Sequence, residues 1–291
     1  MINHLKKKNQ KPNRVIILGA GGFISGSVQE KLINSRIPYL ALTRKKVDLT
    51  LPNAKKKLRK YLKPKDCLLF IAAKAPVKSV EMLIKNLLMC STVCSVIKKI
   101  SISHLVYISS DAVYSDSSKL LTEKSYTQPS SLHGLMHLSR EIMLKNVFKG
   151  PICFLRPTLI YGENDPHNGY GPNRFFRLAK KNKAIKLFGK GEELRDHVWV
   201  EDVAKIVIKV LLNRSDGVLN IATGEVLSFE KIAKLIIKLT NSSSKIKNVK
   251  RNGPMPHNGY RSFNVSSLKK AFPNFKYHKI SEALYKIKEL Y

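Results

Sequence analysis

The stretch Arg14-Val15-Ile16-Ile17-Leu18 runs directly into Gly19-Ala20-Gly21-Gly22, and few folds accept that order of residues near the start of a chain. A short β-branched run of this kind suits a strand buried on both faces of a parallel sheet. The glycines strip side chains from the turn that follows, and residues 25–34 continue as a helix. A turn without side chains lets backbone N–H groups approach a pyrophosphate, while the helix N-terminus adds positive potential. The spacing is a variant. The commoner dinucleotide pattern would need a glycine at Ile24. The pattern G-x-x-G-x-x-G fits Gly19 and Gly22 but meets Ser25 at its third position. Many glycine turns are only tight turns. At a strand-to-helix junction this one points to a dinucleotide held by Gly19, Gly22, Phe23 and Ile24.

The rest of the chain repeats the alternation. Strands are expected at Tyr39–Leu42, Cys67–Ala72, Leu105–Ser109, Ile152–Leu155 and Gly217–Ala222. Helices are expected at Lys55–Leu62, Glu81–Lys99, Leu135–Val147 and Val203–Leu212. Such alternation means an α/β chain with a doubly wound parallel sheet. Residues 161–198 and 223–291 are richer in Gly, Pro, Asn and charge and read as a smaller, irregular, mostly C-terminal lobe for substrate. The dinucleotide-binding domain is then 1–160, completed by 199–222. The strand near 217–222 should return to the main sheet.

Composition excludes some classes. With 43% hydrophobic residues the chain can pack a core. No run approaches ~18 consecutive apolar residues, so no membrane span is expected, and the polar, Lys-rich start lacks a secretory segment. The four cysteines, Cys67, Cys90, Cys94 and Cys153, form no CxxC pair and no zinc spacing. They suit a reducing, cytoplasmic setting, and no metal is expected. The net charge of +33 is extreme. It would attract nucleic acid, anionic membrane or a phosphorylated substrate. The plainer explanation is compositional bias, since Lys far outnumbers Arg and the cations are spread along the chain apart from runs such as Lys55-Lys56-Lys57.

After the second expected strand comes Thr43-Arg44-Lys45-Lys46. NAD sites usually place an acid there for the adenosine ribose. A guanidinium at Arg44 suits a 2′-phosphate instead, which favours NADP, with NAD the alternative. Surface cations in a Lys-rich chain would look the same.

Larger motifs carry a resemblance. They are the turn Gly19–Phe23, Phe70-Ile71-Ala72-Ala73, Tyr107-Ile108-Ser109-Ser110-Asp111-Ala112-Val113-Tyr114, Leu155-Arg156-Pro157-Thr158, Tyr161-Gly162, and Arg195-Asp196-His197-Val198-Trp199-Val200-Glu201-Asp202-Val203-Ala204. Together they make the chain resemble, over nearly its whole length, the extended short-chain dehydrogenases/reductases of the NAD(P)-dependent epimerase/dehydratase group. The resemblance implies a Rossmann-type fold acting on nucleotide sugars. It implies Asp48 and Leu49 near adenine, Ala72 and Ala73 lining the cofactor, and Pro157 and Thr158 near the nicotinamide. It implies Ser110 as the group that hydrogen-bonds the reacting sugar oxygen, with Asp111 beside it. Asn173, Arg195 and Arg251 would hold the substrate nucleotide and diphosphate; the alternative for Arg195 is an ion pair with Asp196 or Glu201. Helices 81–99 and 135–147 would pair into a four-helix bundle in a homodimer, unless helix 81–99 is simply buried on its own sheet.

One motif departs from the pattern. The register Pro129, His133, Gly134, His137, Glu141 matches the family, but the family has tyrosine at position 133 and lysine at 137. There, tyrosine is the acid/base of hydride transfer, and lysine lowers its pKa and binds the nicotinamide ribose. An imidazole at His133 can move a proton near neutrality. His137 is shorter than lysine and usually neutral. The two rings are helix neighbours, so both cannot comfortably be charged. Three readings stay open: a working acid/base at His133, a site that binds but scarcely transfers hydride, and a metal pair, which lacks a third ligand.

Asp111 is followed by Ala112, where dehydratases of the family have a second acid, so reduction or epimerisation is favoured over dehydration. The expectation is a nucleotide-sugar epimerase or 4-ketoreductase, with a polysaccharide pathway as its setting by analogy. The alternative is a catalytically impaired dinucleotide-binding sensor or partner subunit. Some chloroplast relatives bind RNA on this fold, but no aromatic-basic motif supports nucleic acid here.

Overall fold

A computed structural model describes residues 2–6, 10–166 and 168–289. The ends of the two lobes as read from the sequence, residue 1 and residues 290–291, lie outside the described residues. In chain order, β1 (Asn3–His4) and β2 (Val15–Leu18) lead to α1 (Phe23–Asn34), β3 (Tyr39–Leu42), α2 (Ala54–Tyr61), β4 (Cys67–Phe70), α3 (Val80–Ile97), β5 (His104–Ile108), α4 (Leu132–Val147) and β6 (Ile152–Pro157). There follow β7 (Leu159–Tyr161), α5 (Pro172–Ala179), β8 (Ile185–Phe188), β9 (Leu194–Trp199), α6 (Val200–Leu212), β10 (Ser215–Ile221), β11 (Val226–Ser228), α7 (Phe229–Thr240), β12 (Ile246–Val249), β13 (Tyr260–Arg261), α8 (Ser266–Ala271) and α9 (Ile280–Glu289).

The central sheet runs β1-β10-β6-β5-β4-β2-β3. Every pair in it is parallel except the two-residue edge strand β1 against β10. The strand 215–221 does return to this sheet, with Leu219 beside Leu155 of β6. β2 and β4 are buried along their whole length, as their apolar runs require. Val28 and Leu32 of α1 and Val203 and Val207 of α6 cover one face. Leu58 of α2, Cys90 and Val93 of α3, and Leu144 of α4 cover the other. β2 is flanked by β3 on one side and β4 on the other. Connections therefore leave it in opposite directions, which opens a crevice beyond the carboxyl ends of the strands.

Helix α4 begins three residues before the sequence suggests, because the Ser131 hydroxyl caps it by accepting from the Gly134 N–H at 3.1 Å. His133 therefore sits in the first helical turn. α3 has a mean hydropathy of 1.6 over its 18 residues, so by length and composition alone it could cross a membrane. The sequence reading missed this because Glu81, Lys85 and Asn86 interrupt the apolar run. In the fold one side of α3 packs on α2 and α4, while Val80, Ile84 and Leu88 stay exposed in one stripe.

The residues read as an irregular lobe are more ordered than expected. β7, β9, β11 and β13 form a second sheet, and β8 pairs with β12 in a third. Phe175 and Phe176 of α5, Phe229 and Ile232 of α7, and Ala283 and Leu284 of α9 share a core with Trp199. These short strands carry too few residues each for a period-2 pattern to stand out.

Candidate active site

The glycine turn is fixed by contact rather than by ligand. Gly19 has φ +97°, and a Cβ there would lie 2.6 Å from the Ala72 nitrogen. Only glycine fits that approach. Ser25 explains the departure from a third glycine: its hydroxyl donates to the Gly22 carbonyl at 2.8 Å and accepts from the Gly22 N–H at 3.0 Å. It thereby ties the turn to the first turn of α1. Beside the turn lies a cleft of about 430 Å³ whose walls include Gly19, Gly22, Arg44, Asp48, Leu49, Ala72 and Ala73. Seven of the residues expected to hold a dinucleotide are thus brought together. Gly21, Lys74, Lys85 and Met89 join them; nothing in the sequence motifs marked the two lysines. A glycine-walled cleft of this size at a helix N-terminus fits a dinucleotide.

Phe23 and Ile24 do not line this cleft. Phe23 packs toward Gly162, where a Cβ would come within 3.1 Å of its ring, and Ile24 packs on the main core. At the far end the Arg44 side chain is 83% exposed and its Nε donates to Asp48 at 2.8 Å. The other Asp48 oxygen accepts from the Thr50 N–H and hydroxyl. These hydrogen bonds, with Arg44, hold the carboxyl down to about 2.

Ser110, Asp111, His133 and His137 do not line this cleft. Ser110 caps a 3₁₀ turn, Asp111–Val113, by accepting from the Ala112 N–H at 3.1 Å. That turn abuts α4: a Cβ on Gly134 would sit 2.0 Å from the Ala112 carbonyl. Gly134 thus lets the turn that follows Ser110 touch the first turn of α4, which carries His133. Asp111 is not free. Arg261, itself buried, donates to it through Nε at 2.8 Å and reaches Asp116 as well. His257 pairs with Asp116. The sequence reading missed Arg261, which lies 150 residues away and outside the quoted motifs.

His133 and His137 meet edge to face with ring centroids 4.8 Å apart. Burial holds His133 below its ordinary value, and the Asp111 charge pulls the other way. His137 is buried and its Nδ1 lies 2.8 Å from the Tyr107 hydroxyl. Burial first, then the charges at His133 and Arg140, push it well below its usual value. Among the described residues no cluster of three or more His, Cys, Asp or Glu could hold a metal ion. The scaffold behind is a buried pair: Arg156 grips both Glu141 oxygens, at 2.9 and 2.6 Å, while Ser109 donates to Glu141 at 2.6 Å.

The expected substrate residues are already engaged by other groups of the protein. Arg195 pairs with Glu193 at 3.0 Å, and Arg251 approaches the second Glu193 oxygen at 3.5 Å. This corrects the alternative drawn from sequence: Asp196 instead accepts from Thr223 and Gly224, and Glu201 pairs with Lys31. Two guanidiniums share one carboxylate, and the buried Arg195 Nε has no hydrogen-bond partner. An anion would satisfy both features. Asn173 accepts from the Gly162 N–H and donates to Asp165. Pro157 closes β6, and the buried Thr158 donates its hydroxyl to the Asp196 carbonyl.

Residues 15–222 match the NAD-dependent epimerase/dehydratase family. The UDP-glucose 4-epimerase of Thermus thermophilus, solved with NAD, has a TM-score of 0.83 at 20% identity, covering 95% of this chain and 98% of its own. The UDP-N-acetylglucosamine 4-epimerase of Methanobrevibacter ruminantium, solved with UDP-N-acetylmuramic acid, gives 0.81 at 22% identity over 96% and 98%. A GDP-6-OMe-4-keto-L-xylo-heptose reductase from C. jejuni gives 0.81 at 16% identity over 98% and 99%. At these identities the likeness shows the fold, a Rossmann-type nucleotide-binding sheet. With the family match spanning most of the sheet and its glycine turn, the chain belongs to the NAD-dependent epimerase/dehydratase family.

Proposed function

We propose that this chain is a nucleotide-sugar epimerase or 4-ketoreductase using NADP, or alternatively NAD, with an imidazole in the acid/base position. The observation that carries the reading is the contact between the Ser110 turn and the first turn of α4. It brings the turn after Ser110 against the helical turn that carries His133, at the carboxyl edge of the sheet that holds the glycine cleft. In this reading Gly19, Gly22, Ala72 and Ala73 line the cofactor site, with Arg44 at the adenosine ribose. A bound nicotinamide supplies or accepts the hydride. Ser110 holds the reacting sugar oxygen, and His133 gives it a proton in reduction or takes one in oxidation. Arg195 and Arg251 hold the diphosphate, partly released from Glu193. The lobe 161–198 and 223–291 carries the sugar nucleotide. The exposed stripe Val80, Ile84 and Leu88 on α3, with Leu135 and Ile142 on α4, forms the homodimer face.

A second reading has its own support. His137 is buried and bonded to Tyr107, so it cannot bring a lysine's charge to the cofactor, which favours a binder that transfers hydride poorly. Label transfer separates the two. Deuterium from 4-labelled NADPH or NADH should reach a 4-keto sugar nucleotide in a panel of UDP-, GDP- and dTDP-sugars, and His133→Ala should abolish the transfer. Cofactor binding without transfer at any pH supports the second reading. Turnover that survives His133→Ala refutes the assignment of His133.

A further inference from the structure

The two imidazoles are chemically alike by sequence, and something must decide which of them titrates. Arg140 lies on the same face of α4, three residues beyond His137 and seven beyond His133. It is fully buried at 0% exposure. Its hydrogen bonds run to neutral acceptors: the Ala72 carbonyl at 2.8 Å, the Asn86 carbonyl at 2.7 and 3.0 Å, and Asn86 Oδ1 at 3.0 Å. Its guanidinium lies over the Phe70 ring at 5.0 Å. No ion pair to a carboxylate is formed by it among the described residues. The adjacent Glu141 spends its oxygens on Arg156 and Ser109. A dry, uncompensated cation is costly, and guanidinium is the cation that tolerates it best.

We infer that Arg140 is a positioning residue that adds to burial in keeping His137 neutral and so helps to assign the moving proton to His133. Residues three apart on a helix have Cβ atoms about 5–6 Å apart, so a proton arriving on His137 would meet a fixed charge in low dielectric. Tyr107 completes the device from β5. The Tyr107 hydroxyl lies 2.8 Å from His137 Nδ1. Taken as the donor, it would confine the ring's proton to Nε2 and leave His137 a neutral donor of fixed tautomer. The other groups around the pair do not undo this. Cys90 of α3 has its thiol held neutral by burial and by Cys94, and burial keeps the Tyr107 phenol neutral. Asp111 faces His133 from the 3₁₀ turn and is held by Arg261. The arrangement also suits the chemistry. A tyrosine needs a nearby cation to become a base near neutral pH, whereas an imidazole already titrates there. A cation one turn further back is then enough.

The consequence for turnover rests on the reading of His133 as acid/base, but the test does not. Long-range ¹⁵N–¹H spectra of the ¹⁵N-histidine-labelled, cofactor-free full chain report tautomer and titration of each ring. His137 should show the Nε2–H tautomer and stay neutral well below the pH at which His133 titrates. Arg140→Met should raise the His137 titration by about one pH unit or more, and Arg140→Lys should restore it. Tyr107→Phe should leave His137 neutral but mix its tautomers. If Arg140→Met does not fold, the unmodified chain still decides. His137 titrating with or above His133 overturns the inference, as does a titration unmoved in Arg140→Met. The expected spectra without any label transfer would leave this inference standing and defeat the proposed function alone.

Discussion

The glycine cleft and the buried group around His133 and His137 are built on different principles. In the cleft the turn's shape comes from backbone: Gly19 at φ +97° against Ala72, and Gly22 tied by Ser25. The Arg44 side chain there faces water, 83% exposed. Around His133 and His137 almost every group is a buried side chain answering another buried side chain: His137 to Tyr107, Arg140 to Asn86, Asp111 to Arg261, Glu141 to Arg156. The first region should tolerate changes of side chain and punish changes of backbone. The second should do the reverse.

The largest expected effect falls in the buried group. Glu141→Gln keeps the shape but leaves Arg156 as an uncompensated buried cation, which should cost about 3–5 kcal/mol. Urea denaturation would measure it; a loss under about 1 kcal/mol would mean the network is far wetter than the geometry implies. In the cleft the matching change is Gly19→Ala, which adds one methyl group. Left-handed strain and overlap with the Ala72 nitrogen should together cost about 2–3 kcal/mol and abolish dinucleotide binding. Calorimetry showing unaltered binding would break the claim that the backbone shapes the cleft.

The same contrast explains what could be read from the sequence. The glycine turn, the alternation of strands and helices and the return of the strand near 217–222 to the sheet follow from local patterns: a β-branched run, glycines, a helix start. The cleft residues Ala72 and Ala73 followed from motifs close to strand ends. Arg261 was out of reach, because nothing local says that a residue on β13 will enter the core and bind Asp111. Arg140 was within reach and overlooked. Positions 133, 137 and 140 fall on one helical face, and a cation on that buried face was the available clue. The alternative ion pair of Arg195 with Asp196 fails for a related reason: the two are neighbours in sequence, but the β-strand turns Asp196 to the opposite side from Arg195.

A smaller effect would sharpen the picture of the cleft. Arg44 now rests on Asp48 in an exposed pair, and losing that contact should change stability by no more than about 1 kcal/mol. A 2′-phosphate would offer it a better partner. A charge-assisted contact is worth about 1.5–3 kcal/mol, so NADPH should bind roughly tenfold to a hundredfold more tightly than NADH. Arg44→Asp should erase or reverse the preference with little change in the melting temperature. Equal affinities in the unmodified chain would leave NAD as the cofactor and Arg44 as a surface cation.

The smallest effects are on stability against pH, and their signs differ in window. His137 has a folded pKa well below its ordinary 6.5. Unfolding therefore takes up a proton below pH 6.5, and the stabilising contribution present above 6.5 is lost as pH falls from there toward the folded value. His104, brought down to about 4 by burial, adds to the same limb. Asp48 is lowered from 3.8 to about 2. Its contribution is complete above 3.8 and is lost only as pH falls through about 2, and it is small because Arg44 is so exposed. Chemical denaturation at closely spaced pH values should show the buried imidazoles lowering stability first between pH 6.5 and 5, while Asp196, raised to about 6 by burial, works in the opposite direction there. His137→Gln should reduce the slope there by up to about 1.4 kcal/mol per pH unit, the linkage for one proton. Asp48→Asn should leave that window untouched and flatten the curve only below pH 4. If His137→Gln changes the level of stability but not this slope, His137 is not the buried neutral imidazole described, and the contrast between the two regions loses its electrostatic part.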